Sequence, residues 1–393
     1  MQHLSQSPTE PAFVQNPYAF YARARAAGDL VWWDDYDLPC ATSARAVNAF
    51  LRDRRFGREA PPDHAPEIAP HTAAFYAIEA HSMLELEPPR HTKLRGAVLR
   101  AFTSRRIARL TDGIEALTHE CLTRAIDTGG PFDLIEALAK PLPVITIARL
   151  LGVPESMAEQ LLAWSNAMVG MYQARRTGAM EEAANTAAAE FAAFIRDYTA
   201  QRRRAPADDL ISELLTPGPE ALSEDELIST CILLLNAGHE ATVHTLGNGV
   251  KALLEHRTST LALSPDRVGA TVEEILRYDP PLHFFARWAY EDVEAFGHRF
   301  APGDRVACLL ASANRDPALW PDPDRFDPDR GVKANASFGV GIHFCVGAPL
   351  ARLELRSALP ILFARLPELR ITEPPVYANL YHFHGLERLM VQG

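Results

Sequence analysis

Apolar residues recur at helical spacing along most of this chain. Segments rich in Ala, Leu, Arg and Glu carry that period over roughly 105–127, 135–151, 155–172, 179–203, 222–256 and 347–365. Strand-like pieces are short: Leu30-Val-Trp-Trp33, Arg305-Val-Ala-Cys-Leu309 and the tail around Leu389-Met-Val391. The Pro/Gly-rich stretches 59–70 and 216–220 have the length of loops rather than linkers. No internal repeat or low-complexity segment interrupts the pattern. It predicts a mainly α fold with small β-sheets at one side, in a single domain over 1–393. One helix start is explicit. Ser223 is placed as an N-cap with Glu226 three residues on, a capping box. The helix it opens runs to about Glu255, long enough to cross a domain.

Composition narrows the function classes. Lys plus Arg total 39 against 50 acidic residues, a net charge of −11. That argues against a general nucleic-acid binder, though not against a local basic patch. Cys40, Cys121, Cys231, Cys308 and Cys345 are scattered without paired spacing, which points to a reducing cytoplasm rather than a disulfide framework. The N-terminus shows no signal pattern. The longest apolar run, Cys231-Ile-Leu-Leu-Leu235, is too short to span a bilayer. A cytoplasmic protein with no membrane partner is expected.

The chemistry concentrates in Phe338-Gly-Val-Gly341-Ile-His343-Phe-Cys345-Val-Gly347. A glycine-bearing loop leads to one cysteine, and a helical pattern follows through Arg356. A thiol at a helix N-terminus gains from the dipole and from unsatisfied N–H groups, both of which favour thiolate. Gly339 and Gly341 allow a tight turn, and Gly347 removes bulk where a flat ligand would lie on the helix. The chemistry is that of a thiolate bound to a metal whose other face stays open.

This run, Phe338-x-x-Gly341-x-His343-x-Cys345-x-Gly347, resembles the haem-thiolate signature of the cytochromes P-450. The resemblance extends over nearly the whole chain and implies the cytochrome P-450 fold, with haem b as cofactor and Cys345 as its iron ligand. It sets Phe338, Gly339 and Gly347 against the haem on the cysteine side. On the long helix, Ala237, Ala241 and Thr245 recur at i, i+4 and i+8 and line one face with small side chains. Gly238 beside them costs about 1 kcal/mol relative to alanine, so close approach must gain something there. Ala237-Gly238-His239-Glu240-Ala241-Thr242 resembles the family's Ala-Gly-x-Glu/Asp-Thr-Thr segment, which lies over the haem where dioxygen binds. The departure is Ala241, where the family has an alcohol that helps deliver protons. Thr242 points about 100° away round the helix and is a poor substitute. The resemblance then implies a substrate hydroxyl with ordered water, or weak coupling. Asn236, one turn before Glu240, is placed to hydrogen-bond Glu240 or the substrate.

His91 and Arg95 follow Pro88-Pro89 four residues apart and share a helix face. By resemblance they meet the haem propionates with Arg287 and His343. Glu274 and Arg277 resemble the family's Glu-x-x-Arg pair, with Arg325 as third member of a structural network. The other histidines, His239 included, are expected to be structural or exposed. The family's pocket walls fall on Phe75, Met83, Met168, Met171, Leu235, Leu282, His283, Phe285 and Phe383. Such a wall suits a small or medium apolar molecule with one or two polar groups. No second cofactor motif follows Cys345, so electrons are expected from a ferredoxin or flavodoxin with its reductase, docking on Arg100, Arg105, Arg106 and Arg352. The leading reading is a monooxygenase using O2. The alternatives are a peroxygenase, dehydratase or rearrangement of the same haem-thiolate type, and a non-enzymatic haem sensor.

Overall fold

The computed structural model describes residues 1–173, 176–218 and 220–393. Pro219, within the predicted loop 216–220, and Ala174 and Arg175 lie outside the described residues. The principal helices are α1 (Arg90–Ala101), α2 (Thr111–Asp127), α3 (Pro141–Leu151), α4 (Ala158–Val169), α5 (Gly178–Arg204), α6 (Glu224–Glu255), α7 (Val268–Tyr278) and α8 (Ala348–Arg365). With 54% helix, the mainly α expectation holds. The segment read as one helix over 105–127 is two, Ser104–Ala108 and α2. The segment 135–151 opens with a π turn, Ile135–Ala139, before Pro141 starts α3.

α6 begins as the sequence indicates. Ser223 Oγ accepts from the Glu226 N–H at 3.2 Å, and the Glu226 carboxylate accepts from the Ser223 N–H at 2.8 Å. Lys93 on α1 adds an ion pair to Glu226 at 2.6 Å, which ties α1 to the start of α6. From there α6 runs through the large apolar core, packing on α3, α4, α5 and α7.

The largest sheet has six strands: β1 (Gln2–Leu4), β2 (Leu30–Trp33), β3 (Leu38–Ala41), β4 (Phe56–Gly57), β5 (Phe284–Ala289) and β6 (Arg305–Leu309), ordered β1-β2-β3-β6-β5-β4. The predicted strands at 30–33 and 305–309 are its β2 and β6, and the predicted tail strand is Met390–Gln392 in a smaller sheet. β5 had no counterpart in the sequence reading. Its antiparallel register on β6 sets Arg287 opposite Val306 and Phe285 opposite Cys308.

A buried ion pair links α7 to the loop that carries Cys345. Arg277 is 1% exposed and meets Glu274 through two bonds of 2.7 and 2.8 Å. Its remaining N–H groups donate to the carbonyls of Asn314, Pro323 and Arg325. Asn314 Oδ1 in turn accepts from the Ala336 N–H at 2.7 Å, and Ser337 Oγ donates to the Leu276 carbonyl at 2.7 Å. The expected third member is corrected. The Arg325 side chain is mostly exposed and lies 3.8 Å from Asp327, so only its carbonyl joins the network. Arg330 supplies the second guanidinium, 3.4 Å from Glu274. Arg277→Met leaves the Glu274 carboxylate buried with Arg330 alone. It should destabilise the protein by about 3–5 kcal/mol, read from the urea midpoint. Arg325→Ala should change that midpoint little.

Candidate active site

The Cys345 loop is closed by its own backbone. The Gly339 N–H donates to the Ala336 carbonyl at 2.8 Å, Phe344 N–H to Gly341 at 3.1 Å, and Cys345 N–H back to Phe338 at 3.0 Å. Gly341 has φ +79°, and a Cβ there would lie 2.5 Å from the Leu51 carbonyl oxygen, so glycine is required. The backbone N–H groups of Gly347 and Ala348, at the start of α8, donate to the Cys345 sulfur. Protein packed around the sulfur raises the thiol, while those N–H groups and the nearby Arg95 and Arg352 charges lower it, and the residue as a whole stays exposed. The N–H groups act in the direction expected of a helix terminus, and a metal cation on the sulfur would add to them. Of the five cysteines, four are buried and Cys345 is exposed.

Ala237 is exposed in mid-α6, with Gly238, Glu240 and Ala241 half-buried around it. Leu234, Leu235 and Asn236 before them, and Thr242 to Val250 after them, are buried. An exposed strip inside an otherwise buried helix marks an internal gap. Leu282, Phe285 and Phe383 also keep part of their surface exposed, and Leu282 pairs with Phe383 through a β-bridge. Phe75, Met83, Met168, Met171 and Leu235 are buried members of the apolar core instead. His283 is corrected outright. It is fully buried, its Nδ1 lies 2.8 Å from the Tyr21 hydroxyl, and its ring sits among Tyr18, Tyr21, Tyr381 and His384. Asn236 does not bond Glu240. Its Nδ2 meets Met168 Sδ at 3.6 Å, and its Oδ1 is buried without a partner.

Four basic side chains converge from three parts of the chain. His91 and Arg95 come from α1, Arg287 from β5 and His343 from the cysteine loop. The rings of His91 and His343 are 4.5 Å apart, and Arg95 donates to the Phe344 carbonyl at 2.7 Å. Burial, then His343 and Arg95, push His91 down to about 4. Arg287 is 3% exposed, and burial with the Arg58 charge brings it down to about 10. Its N–H donates to the Ala286 carbonyl, and among the described residues no carboxylate lies within ion-pair distance. The one acid in this group is Glu87, 2.9 Å from His343 Nε2. Glu87 and Arg58 were absent from the sequence reading. The buried Arg287 guanidinium without an ion-pair partner, with Arg95 and two imidazoles beside it as donors, suits a dianionic ligand.

Glu240 is held between two histidines that periodicity alone did not single out. His244 Nε2 lies 3.1 Å from one carboxylate oxygen, and His239 Nε2 3.4 Å from the other. Burial alone would raise this carboxyl. The hydrogen bonds and charges of the two imidazoles prevail and hold it well below the usual carboxylate range. Thr242 is buried, and Thr245 Oγ1 is spent on the Ala241 carbonyl at 2.7 Å. The expected basic docking patch is largely ion-paired: Arg100 with Glu220, Arg106 with Asp208 and Glu213, and Arg352 with Glu273.

A flat metallated ring bearing two carboxylates fits this donor set. The exposed sulfur suits the metal, the small residues of α6 suit close approach to the ring, and the uncompensated bases suit the carboxylates. Comparison with known proteins agrees. The family model described as Cytochrome P450 matches residues 268–367. The biotin biosynthesis cytochrome P450 of Bacillus subtilis (strain 168) is 34% identical over 99% of both chains. The cytochrome P450 monooxygenase PikC of Streptomyces venezuelae is 38% identical over 92% of this chain and 87% of its own. The crystal structure of P450BioI in complex with hexadec-9Z-enoic acid ligated acyl carrier protein superimposes with a TM-score of 0.92 at 34% identity, covering 97% of this chain and 99% of that one. Gly341→Ala should cost about 1–3 kcal/mol of stability, read as a lowered thermal midpoint, because the left-handed backbone and the Leu51 carbonyl both oppose a side chain. Gly347→Ala should be nearly neutral for folding, since its Cβ would sit 3.7 Å from the Cys345 sulfur at an ordinary φ.

Proposed function

From the premise that this chain belongs to the cytochrome P450 family and is a monooxygenase acting on an organic substrate with O2 and a redox partner, we propose how its residues divide the work. Residues 1–393 act as one domain. Cys345 ligates the iron of haem b as thiolate. His91, Arg95, Arg287 and His343 hold the propionates, and Phe338, Gly339 and Gly347 flank the ring on the cysteine side. Ala237 lets the ring and the substrate approach α6, whereas the side-chain position of Gly238 faces Ile147 on α3, where a Cβ would lie 3.2 Å from that side chain. The observation that carries this reading is the set of buried bases short of acids beside the one exposed cysteine.

Bound haem supplies the activation of dioxygen. The chain supplies enclosure, orientation and protons. Leu282, Phe285 and Phe383 form an apolar wall, with the unpartnered Asn236 Oδ1 and the Glu240 carboxylate as polar points. The substrate is a small or medium apolar molecule with one or two polar groups, a class that includes the long-chain acyl group named for P450BioI. Glu240 exchanges protons with the cavity, Ala241 leaves room where an alcohol would stand, and Thr242 faces away from it. Electrons come from a ferredoxin or flavodoxin with its reductase. Because three of the four expected docking arginines are already paired, docking requires exchange of those ion pairs. Among the described residues no helix is long and apolar enough to cross a membrane, which is compatible with a cytoplasmic enzyme. Ala241 also favours a second reading, a haem-thiolate reaction driven by peroxide. Spectral titration with a compound library, then product analysis with ferredoxin and with peroxide, separates the two.

Cys345→Ala should abolish the long-wavelength Soret band of the reduced CO complex, which reports thiolate ligation. Arg95→Ala and Arg287→Ala should each lose a charge-assisted contact of about 1.5–3 kcal/mol and release haem faster to an acceptor protein. Wild-type retention in both would remove the propionate assignment.

The missing alcohol gives a separate expectation. With a substrate that carries its own hydroxyl, Ala241→Thr should improve product per NAD(P)H little or not at all. With a surrogate lacking a polar group, the wild type should leak peroxide, and Ala241→Thr should raise the yield. Glu240→Ala should slow turnover by on the order of 10²–10⁴-fold. A large loss in Thr242→Ala with none in Glu240→Ala would make Thr242 the working alcohol.

A further inference from the structure

The resemblance predicts an acid followed by an alcohol on α6, and this chain provides an acid between two imidazoles. His244 lies one turn beyond Glu240, its Nε2 3.1 Å from the carboxylate, and the residue is only 6% exposed. Its Nδ1 is buried with no hydrogen-bond partner. A histidine kept for structure ordinarily has both nitrogens satisfied, whereas this ring is held through Glu240 alone. Space for it is provided deliberately. A Cβ at Gly385 would fall 1.8 Å from His244 Nδ1, so only glycine at 385 lets the ring lie where it does. The other groups facing His244 are Phe383, whose ring is 6.0 Å away, and the buried His384. Behind His384 stand Asp279 at 3.5 Å, with Lys251 and Arg315 near enough for their charges to act on it. His239 is the remaining neighbour of Glu240, and its Nδ1 is already committed to the Leu235 carbonyl at 2.9 Å.

We propose that His244 is the proton donor that reloads Glu240, replacing the alcohol absent at position 241, and that Gly385 keeps open the space its ring requires. The imidazolium passes its Nε2 proton to Glu240, leaving a neutral ring and a carboxylic acid. The acid gives that proton to an acceptor in the cavity and returns to carboxylate. A proton from water then restores the imidazolium. No group changes oxidation state, and one proton moves inward per cycle. His244 acts through Glu240 and does not itself touch the substrate. The inference rests on the role given to Glu240 above.

The test uses the haem-loaded protein with its redox partner. Product per NAD(P)H and the solvent isotope effect are measured across pH for the wild type, H244Q, E240Q and the double variant. In parallel, the His244 imidazole is titrated by NMR in the diamagnetic ferrous CO form of the wild type. In the wild type, turnover should fall as pH rises, because His244 loses the proton it must give. H244Q, which still offers an N–H to Glu240, should be slower by about 10–10²-fold, lack that pH limb and show an altered isotope effect. The double variant should be no worse than E240Q. Wild-type pH dependence in H244Q, an equal loss at every pH, or a ring that stays neutral wherever the wild type turns over would each overturn the relay. If E240Q itself behaves as wild type, the role of Glu240 is what has failed.

Discussion

The Arg277 guanidinium, buried against Glu274, is the constraint from which the site follows. An unpaired charge at that depth would cost several kcal/mol, so every donor and acceptor in the pair must be met. The carbonyls of Asn314, Pro323 and Arg325 and the N–H of Asp327 meet them. Satisfying one buried pair therefore fixes an irregular segment that has no ladder of its own. The Cys345 loop continues from that segment through Asn314 and Ser337. The loop's position is thus inherited from an electrostatic requirement on α7.

The site itself uses the opposite arrangement, polar groups left incompletely paired. Arg287, His91 and His343 bring more basic groups into the interior than Glu87 offsets, and Cys345 keeps its residue exposed beside them. Each group on its own is unfavourable. Together they are complementary to a ligand that is cationic at its centre and anionic at its rim.

On the other side of the cavity the helix α6 resolves a different conflict. A helix through the core would normally be apolar all round, yet this one must leave space and move protons. Ala237 and Ala241 leave the space, while Gly238 lets α6 pack closely on Ile147 of α3. Glu240, His239 and His244 bring ionisable groups into the same two turns, with the carboxylate between the two imidazoles and His244 Nδ1 left without a partner. Because the alcohol at 241 is missing, the polar function shifts along the helix to a position where Gly385 from the C-terminal loop makes room.

The helices were legible from their period because burial of an amphipathic face is a local property of spacing. The capping box at Ser223 and the tight turn around Cys345 were equally legible, since each is a contact among residues a few positions apart. The resemblance in Phe338–Gly347 pointed to Cys345 as the cofactor ligand for the same reason. Contacts distant in sequence were not legible. β5 carries Arg287 but its apolar residues show no clean alternation, and it becomes a strand only through its register on β6. His283 has the composition of a pocket residue, yet the aromatic cluster around Tyr21 and Tyr381 buries it. Arg325 and Arg330 look alike in sequence, and only the path of the 314–330 segment selects Arg330 as Glu274's second guanidinium. His244 was one histidine among fourteen until Gly385 was folded against it, 141 residues away in the chain by their numbering. Side-chain chemistry and local spacing are written along the chain. Which polar groups share a buried space, and which are left without partners there, depends on how distant segments pack.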